Sequence, residues 1–173
     1  MTKRAQTKAK ILGTAWQLFT EKGYEQTTTR DIAAHAQVAT GTVFSHFPNK
    51  LDLLKAGLEG KLATLLQQAS QSDQSTSPTE RLLHYAHALY PFYLSQREFS
   101  KALFKALLWQ SQSLDPQLNA FKSLLVNNNE EQRLYADLIM DVYFMTLLEG
   151  LNDDAIDSAA LLTRLESKLG LLR

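Results

Sequence analysis

Apolar side chains recur along most of the chain at the three- and four-residue spacing of an amphipathic α-helix. Gly23 stands where a C-cap glycine would end the first of these helices. Thr28, followed three residues later by Asp31, resembles a capping box and predicts the start of a second helix. The apolar face of the first helix comprises Ile11, Leu12, Ala15, Trp16, Leu18 and Phe19, and that of the second comprises Ile32, Ala33 and Ala36.

A short third helix is predicted from about Ala39 to Phe47, where Pro48 stops it. Asn49 and Asp52 are placed to cap a fourth helix directly afterwards. The polar, Ser- and Gln-rich stretch at 67–78 then predicts a loop. The apolar stripe of the fourth helix comprises Leu51, Leu54, Leu58, Leu62 and Leu65.

The helical pattern resumes after this loop and continues to the end of the chain. Ser77 is a predicted N-cap, with Pro78 in the first turn and Glu80 closing the capping box. Further helices are predicted at about 97–110, 115–126, 130–151 and 155–171, with a break at 127–129. Leu162, Leu165, Leu169 and Leu172 form a packing seam on the last helix. Because no segment has a strand pattern, the predicted fold class is all-α.

Composition restricts the class of protein. The 45% hydrophobic and 21% charged residues are typical of a globular chain, and no apolar run approaches the ~18 residues that span a bilayer. The polar, basic N-terminus predicts no secretory signal, so we expect a soluble cytoplasmic protein. The absence of cysteine excludes disulfides, zinc–thiolate sites and thiol redox sensing.

Charge is distributed unevenly although the net charge is zero. Residues 1–50 contain seven basic and three acidic residues, whereas the remainder contains 11 basic and 15 acidic ones. A basic N-terminal region is a candidate DNA-binding face, because neutralising phosphates contributes much of the affinity for DNA. The alternative is an ordinary solvated surface. Two interpretations are likewise open for the basic residues nearest the N-terminus, which form either a flexible basic arm or a solvated end. These residues are Lys3, Arg4, Lys8 and Lys10.

The segment from Thr27 to Lys50 carries the most specific pattern. Two short helices flank a tight turn at 36–38, with Val38 and Val43 as apolar plugs beneath the second of them. That second helix is too short to be stable alone, so it depends on packing. Its exposed face is small and polar, as a helix that enters the major groove of DNA requires. This face comprises Thr40, Gly41, Thr42, Ser45 and His46.

This segment resembles the TetR family of bacterial transcriptional regulators over about residues 8–60. The chain departs from the family at Gln37, where glycine is usual, and at Ala39, where serine is frequent. Phe44 matches as an aromatic residue at a position that is often tyrosine. Beyond residue 65 only the helical layout and the length are similar. The matching residues are Ala15, Leu18, Phe19, Gly23, Tyr24, Thr27, Thr28, Ile32, Ala33, Ala36, Val38, Gly41, Thr42, Phe44, His46, Phe47, Asn49, Lys50, Leu53 and Leu54.

The resemblance implies a three-helix helix-turn-helix DNA-binding domain at 1–50. It implies a helical regulatory and dimerisation domain at 51–173, joined through a connecting helix at about 50–66. Core packing is the alternative for Phe44 and Phe47, and a solvated side chain is the alternative for Lys50. The predicted DNA-binding residues are Thr28, Arg30, His46 and Lys50 towards phosphates, Thr40, Gly41 and Thr42 towards bases, and Phe44 as an apolar contact.

For the C-terminal region, the resemblance implies a homodimer formed through the last two helices. Leu134, Leu138, Val142 and Met145 form an apolar stripe there, although part of this surface must serve the core of one chain. The middle helices would line a pocket for a small apolar or aromatic ligand, with core packing as the alternative. The candidate ligand-binding residues are His84, His87, Tyr90, Phe104, Trp109 and Tyr143.

These features predict a repressor that a small ligand releases from a palindromic operator, without catalytic residues, metal or cofactor. A DNA-binding regulator or activator controlled by a protein partner is the second possibility. The third is a helical-bundle metalloenzyme. Its one candidate is the helix face that carries Glu80, His84 and His87.

Overall fold

The computed structural model describes residues 2–109 and 115–172, and the side chains of 106–109 and 115 lie outside the description. The described residues form nine α-helices and one short 3₁₀ turn, with no strand, so the all-α prediction is confirmed. The helices are α1 (Lys3–Lys22), α2 (Thr29–His35), α3 (Thr40–His46), α4 (Lys50–Gln71), α5 (Pro78–Ser95), α6 (Arg97–Trp109), α7 (Asp115–Leu125), α8 (Arg133–Asn152) and α9 (Ser158–Gly170).

The chain divides into two compact units, Met1–Ala63 and Thr64–Arg173. The division falls inside α4, whereas the predicted domains meet at residues 50 and 51. The part of α4 at 50–63 belongs to the N-terminal unit, and it packs on α1. Gly57 lies so close to the indole of Trp16 that a Cβ there would be 2.7 Å from Cε3.

The N-terminal unit is built on α1. Thr2 caps this helix by accepting a 3.3 Å hydrogen bond from the backbone N–H of Ala5. Gly23 ends it with φ 86°, as predicted, and its N–H donates to the carbonyl of Phe19. The first helix therefore begins at Lys3, so the expectation of a flexible basic arm is wrong for residues 3–10. The core of the unit consists of Ile11, Ala15, Phe19, Ile32, Val43, Phe47 and Leu54, all buried.

The start of α4 is fixed by the two predicted capping residues. The backbone N–H of Asp52 donates to Oδ1 of Asn49, and the amide of Asn49 donates to Oδ2 of Asp52, both at 2.9 Å. The helix continues to Gln71, four residues beyond the predicted start of the loop. Its last turn is held because Ala69 is buried and its carbonyl lies 2.8 Å from Nε2 of His84.

In the C-terminal unit, α5 is the central helix and packs against α6, α7, α8 and α9. Ser77 caps it as predicted, by accepting from the N–H of Glu80. The carboxylate of Glu80 instead bonds Thr76, one residue before the cap. Arg81 is buried and donates to Asp73 at 3.0 Å and to the carbonyl of Leu125 at 3.0 Å. This arginine therefore ties the loop before α5 to the end of α7.

The last two helices differ slightly from their predicted bounds. Residues Glu130–Gln132 form the 3₁₀ turn, and α8 begins only at Arg133. Asp157 caps α9 through the N–H of Ala160 at 2.8 Å, so this helix begins at Ser158 and not near Ala155. The predicted seam faces the interior of the chain, because Leu162, Leu165 and Leu169 are buried.

Candidate nucleic-acid interface

The turn between α2 and α3 has the strained geometry expected from its sequence. Gln37 adopts φ 51°, the left-handed region that favours glycine. The N–H of Val38 closes the turn by donating to the carbonyl of Ala33 at 3.0 Å. At the start of α3, the N-cap Ala39 makes no side-chain capping bond in the described structure, as a missing serine hydroxyl predicts.

The α3 helix presents a small polar surface on one side and an apolar surface on the other. Val43 is fully buried, and Phe47 is 3% exposed, which confirms core packing for Phe47. Gly41 and Ser45 are exposed, and Thr40 and Thr42 are half-buried. A Cβ built on Gly41 meets no described atom within 4 Å, so the protein itself leaves this position open.

The aromatic residue at the centre of α3 points outward. Phe44 is 47% exposed, which argues against core packing for this side chain. His46, at the C-terminal end of the helix, is half-buried, and its ring lies 6.5 Å from that of Phe47. Phe44 can thus offer an apolar edge and His46 a polar one beside Thr40, Gly41 and Thr42. We call these five residues the reading surface.

The start of α2 is already occupied by intramolecular bonds. The hydroxyl of Thr28 accepts from the N–H of Asp31 at 3.1 Å and donates to its carboxylate at 2.6 Å, so the predicted capping box is present. The hydroxyl bond from Thr28 holds the pKa of Asp31 below its ordinary value. Arg30 is exposed in the same turn. Arg30 therefore carries the accessible positive charge of this turn, while Thr28 orders the helix end.

Lys50 has a structural role that the sequence analysis missed. Its ammonium donates to the carbonyl of Tyr24 at 2.8 Å and to that of Glu25 at 3.3 Å. The same ammonium lies 4.2 Å from the centre of the Tyr24 ring. Burial raises the pKa of Tyr24, with a further contribution from the nearby Glu25 and Asp52 carboxylates. Lys50 thus holds the start of α4 to the segment that follows α1.

A second cation approaches α3 from the first helix. Lys8 is exposed, and its ammonium lies 5.5 Å from the centre of the Phe47 ring. Lys8 and Phe47 are 39 positions apart in the sequence, so no local pattern predicts this contact, which depends on the packed fold. Lys3, Arg4 and Lys10 are exposed on the same helix.

The candidate ligand-binding residues of the C-terminal unit fall into two groups. His84 is half-buried against the carbonyl of Ala69, and His87 is exposed. Tyr90, Phe104 and Tyr143 are buried, and the side chain of Trp109 lies outside the described residues. The structure therefore groups Tyr90, Phe104 and Tyr143 in the interior and leaves the histidines apart from them.

The buried group belongs to a continuous set of rings, which we call the aromatic cluster: Tyr90, Tyr93, Phe104, Tyr143 and Phe144. Successive ring centres lie 5.0 Å (Tyr90–Tyr143), 5.4 Å (Tyr143–Phe144), 5.6 Å (Phe144–Phe104) and 5.6 Å (Phe104–Tyr93) apart. Such contacts stabilise a core and can also form the wall of an apolar ligand site.

Two further findings restrict the interpretation of the chain. Among the described residues, no three His, Cys, Asp or Glu side chains are grouped so that they could hold a metal ion. The carboxylate of Glu80 accepts from the hydroxyl of Thr76, whereas His84 lies against the carbonyl of Ala69. Within 2–109 and 115–172, every helix is too short or too polar to span a membrane.

The geometry of α2, the left-handed turn and α3 defines a helix-turn-helix protein. The profile of the bacterial regulatory proteins of the tetR family matches residues 11–56. HbdR, a helix-turn-helix transcriptional regulator of Aromatoleum sp. (strain CIB), is 37% identical over 89 residues, which cover 51% of this chain and 39% of HbdR. The chain thus matches less than half the length of that relative.

The fold of this chain agrees with that of solved structures over nearly its whole length. A TetR-family transcriptional regulator from Pectobacterium atrosepticum superposes with a TM-score of 0.72 and 23% identity, covering 99% of this chain and 95% of its own. FadR of Thermus thermophilus, a TetR-family repressor in complex with lauroyl-CoA, superposes with a TM-score of 0.71 and 22% identity. The match covers 95% of this chain and 92% of FadR. At this identity these likenesses establish the fold. The chain therefore has the fold of the TetR-family regulators, and residues 11–56 match the profile of that family.

Proposed function

We propose that this protein is a transcriptional repressor that binds a palindromic operator as a homodimer and is released by a small ligand. The observation that carries the proposal is the amphipathic α3. Its buried Val43 fixes the helix, while the reading surface stays accessible to the bases of a major groove. Arg30 and Lys50 supply phosphate contacts around this surface, and His46 supplies one at its edge.

DNA retardation tests the DNA-binding part. A duplex from the region upstream of the gene should be retarded at low salt, and a random duplex of equal length should bind more weakly. Each phosphate contact should contribute about one unit to the slope of log affinity against log salt. Equal binding of both duplexes at every salt concentration would contradict sequence recognition.

An exposed apolar stripe on α8 supports the homodimer. Leu134, Leu138 and Met145 are 80%, 46% and 60% exposed, and their spacing places them on one face of the helix. Exposed apolar side chains in such a row are typical of a surface that another protein covers. A second copy is the partner that a palindromic site requires, because each half-site needs its own reading helix.

A charge placed in the stripe tests the homodimer. Leu138→Glu should convert the dimer to a monomer in sedimentation analysis and should lower operator affinity. Leu124→Glu is the matched control, since Leu124 is 40% exposed but lies on α7. Dissociation by both variants, or by neither, would contradict the assignment of this face.

The aromatic cluster supports the ligand-responsive part. A ligand can release the protein only if it binds more tightly to a conformation that does not fit the operator. Lauroyl-CoA is the ligand of the T. thermophilus FadR structure. In this chain the aromatic cluster offers rings and phenol groups to a ligand. A ligand that binds there should lower the affinity for DNA by the ratio of its own affinities for the two conformations.

A further inference from the structure

The exposed face of α3 has an aromatic ring at its centre. Gly41, Phe44 and Ser45 are the exposed residues of this helix, and their spacing of three and four positions places them side by side. Thr40 and Thr42 are half-buried at the two edges of this face. Phe44 is therefore the largest side chain on the surface that the helix would present to base edges in a major groove.

The centre of this face has little capacity for hydrogen bonding. Gly41 has no side chain, and the phenyl ring of Phe44 carries neither a donor nor an acceptor. The hydroxyl of Ser45 donates to the carbonyl of Thr42 at 2.8 Å, so its hydrogen is used within the helix and only its acceptor capacity remains. The centre is thus suited to an apolar group on a base edge.

The residue types of α3 restrict which base can supply that group. Guanine is usually paired with Arg or Lys, adenine with Asn or Gln, and the amino group of cytosine with Asp or Glu. None of these types occurs in Thr40–His46. Thymine is the base that presents an apolar group in the major groove, because its C5-methyl projects there and is contacted by aromatic and Thr side chains.

The ring of Phe44 is accessible to such a methyl group. The side chain is 47% exposed. Side chains on a helix lean towards its N-terminus, which directs the ring of Phe44 towards the turn that contains Gly41. A Cβ built on Gly41 meets no described atom within 4 Å, so a base edge can approach the backbone there and meet the ring beside it.

We propose that Phe44 packs against the C5-methyl group of a thymine in each operator half-site and so selects the base at that position. This inference rests on the proposed DNA-binding function and names the base that the central side chain of α3 recognises. The contact is apolar, so its selectivity comes from the apolar area that stays in water when the methyl group is missing. Thr42 is the competing reader, because its side chain also carries a methyl group.

Deoxyuridine tests the proposal, since it pairs as thymidine does and lacks only the C5-methyl. The upstream duplex of the retardation assay is prepared once with thymidine and once with deoxyuridine throughout, and the ratio of the two affinities is measured for each protein. The wild-type ratio should exceed that of Phe44→Ala by about fourfold for each half-site, the scale of burying one methyl-sized group. Because every protein meets the same two duplexes, effects of deoxyuridine on DNA shape cancel.

Three further variants sharpen the comparison. Phe44→Gln keeps the length of the side chain without its apolar character and should give the same low ratio as Phe44→Ala. Ser45→Ala is the matched control at an exposed neighbouring position, and Thr42→Ser removes the competing methyl group but keeps the hydroxyl. Both should keep the wild-type ratio. Deoxyuridine placed at one thymine at a time should reproduce the effect at a single position of each half-site.

Two results would overturn the proposal. Equal ratios for the wild type, Phe44→Ala and Phe44→Gln would place the ring against the sugar–phosphate backbone. A ratio that falls in Thr42→Ser but not in Phe44→Ala would assign the methyl contact to Thr42. Retardation of the thymidine duplex by the wild type with equal ratios rejects only the role of Phe44, whereas no retardation of that duplex rejects the DNA-binding function itself.

Discussion

The ammonium of Lys50 donates a 2.8 Å hydrogen bond to the carbonyl of Tyr24 and lies 4.2 Å from the centre of its ring. A cation at the start of a helix is opposed by the helix dipole, so Lys50 needs these contacts to be favourable at its position. The lysine that the family resemblance assigns to phosphate binding therefore also stabilises the N-terminal unit. The two roles can be separated by experiment.

Lys50→Ala should lower both the stability of the N-terminal unit and the affinity for DNA. The lost bonds to Tyr24 and Glu25 should lower the free energy of unfolding by about 1 kcal/mol. This is less than a fully buried hydrogen bond from a charged donor contributes, because Lys50 is partly exposed. Urea unfolding measures this change. The salt slope of DNA binding should fall by about one unit for specific and random duplexes alike.

Lys10→Ala is the comparison for Lys50→Ala, because Lys10 is exposed on α1. It should leave the urea midpoint unchanged. A Lys50→Ala protein with wild-type stability and a reduced salt slope would limit Lys50 to phosphate binding. A Lys50→Ala protein with reduced stability and an unchanged salt slope would limit Lys50 to the structural role.

Gly41→Ala should stabilise the free protein and weaken operator binding. In the described structure a Cβ at this position meets nothing within 4 Å, and alanine favours a helix over glycine by about 1 kcal/mol. The unfolding temperature should therefore rise. Operator affinity should fall, because the added methyl group occupies the space through which the backbone approaches the bases.

Gly13→Ala supplies the matched control for Gly41→Ala. Gly13 lies inside α1, and its built Cβ likewise meets no described atom within 4 Å. This variant should be stabilised by a similar amount and should bind the operator normally. If both substitutions leave DNA binding intact, Gly41 does not lie against the duplex and the reading surface is wrongly placed.

The sequence predicted the features that depend on neighbouring residues. Thr28 with Asp31, Ser77 and Gly23 mark helix ends through bonds that span at most four residues, so their patterns are legible along the chain. The contact between Lys50 and Tyr24 joins residues 26 positions apart, and no local pattern indicates it. The contact between the rings of Tyr90 and Tyr143 was equally hidden, since it depends on how α5 and α8 pack.

The ends of α4 and α9 illustrate the same limit. The polar composition after Gln67 predicted a loop, but the helix continues because Ala69 is buried and its carbonyl meets His84. The leucines of α9 predicted a packing seam without indicating what covers it. Their burial inside the chain leaves the exposed stripe of α8 as the surface that we propose for a second copy.

Gln37→Gly should stabilise the protein without changing its contacts. Gln37 adopts φ 51°, where a residue with a Cβ pays about 1 kcal/mol relative to glycine. The unfolding free energy should rise by about that amount in urea titration. Gln37→Ala is the control and should give no gain, because alanine has the same conformational cost. A gain with alanine would assign the effect to the glutamine side chain instead.

Glu149 on α8 connects to α9 through two cations. Its carboxylate accepts from the ammonium of Lys168 and from the guanidinium of Arg164, both at 2.7 Å. The bond from Lys168, followed by that from Arg164, holds the pKa of Glu149 below its ordinary value of 4.5. A carboxyl with a lowered folded pKa stabilises the fold above its unfolded pKa, and that stabilisation is lost as the pH falls through the folded pKa.

Glu149→Gln should therefore be less stable than the wild type at pH 7, and the difference should shrink as the pH falls below the ordinary glutamate value of 4.5. Thermal unfolding at a series of pH values measures the two curves, which should converge in acid because the protonated glutamate resembles glutamine. Glu166→Gln, at an exposed position of α9, is the comparison variant because it leaves the bonds of Glu149 in place. Parallel curves for Glu149→Gln down to acid pH would mean that the bonds to Lys168 and Arg164 do not depend on the charge of Glu149.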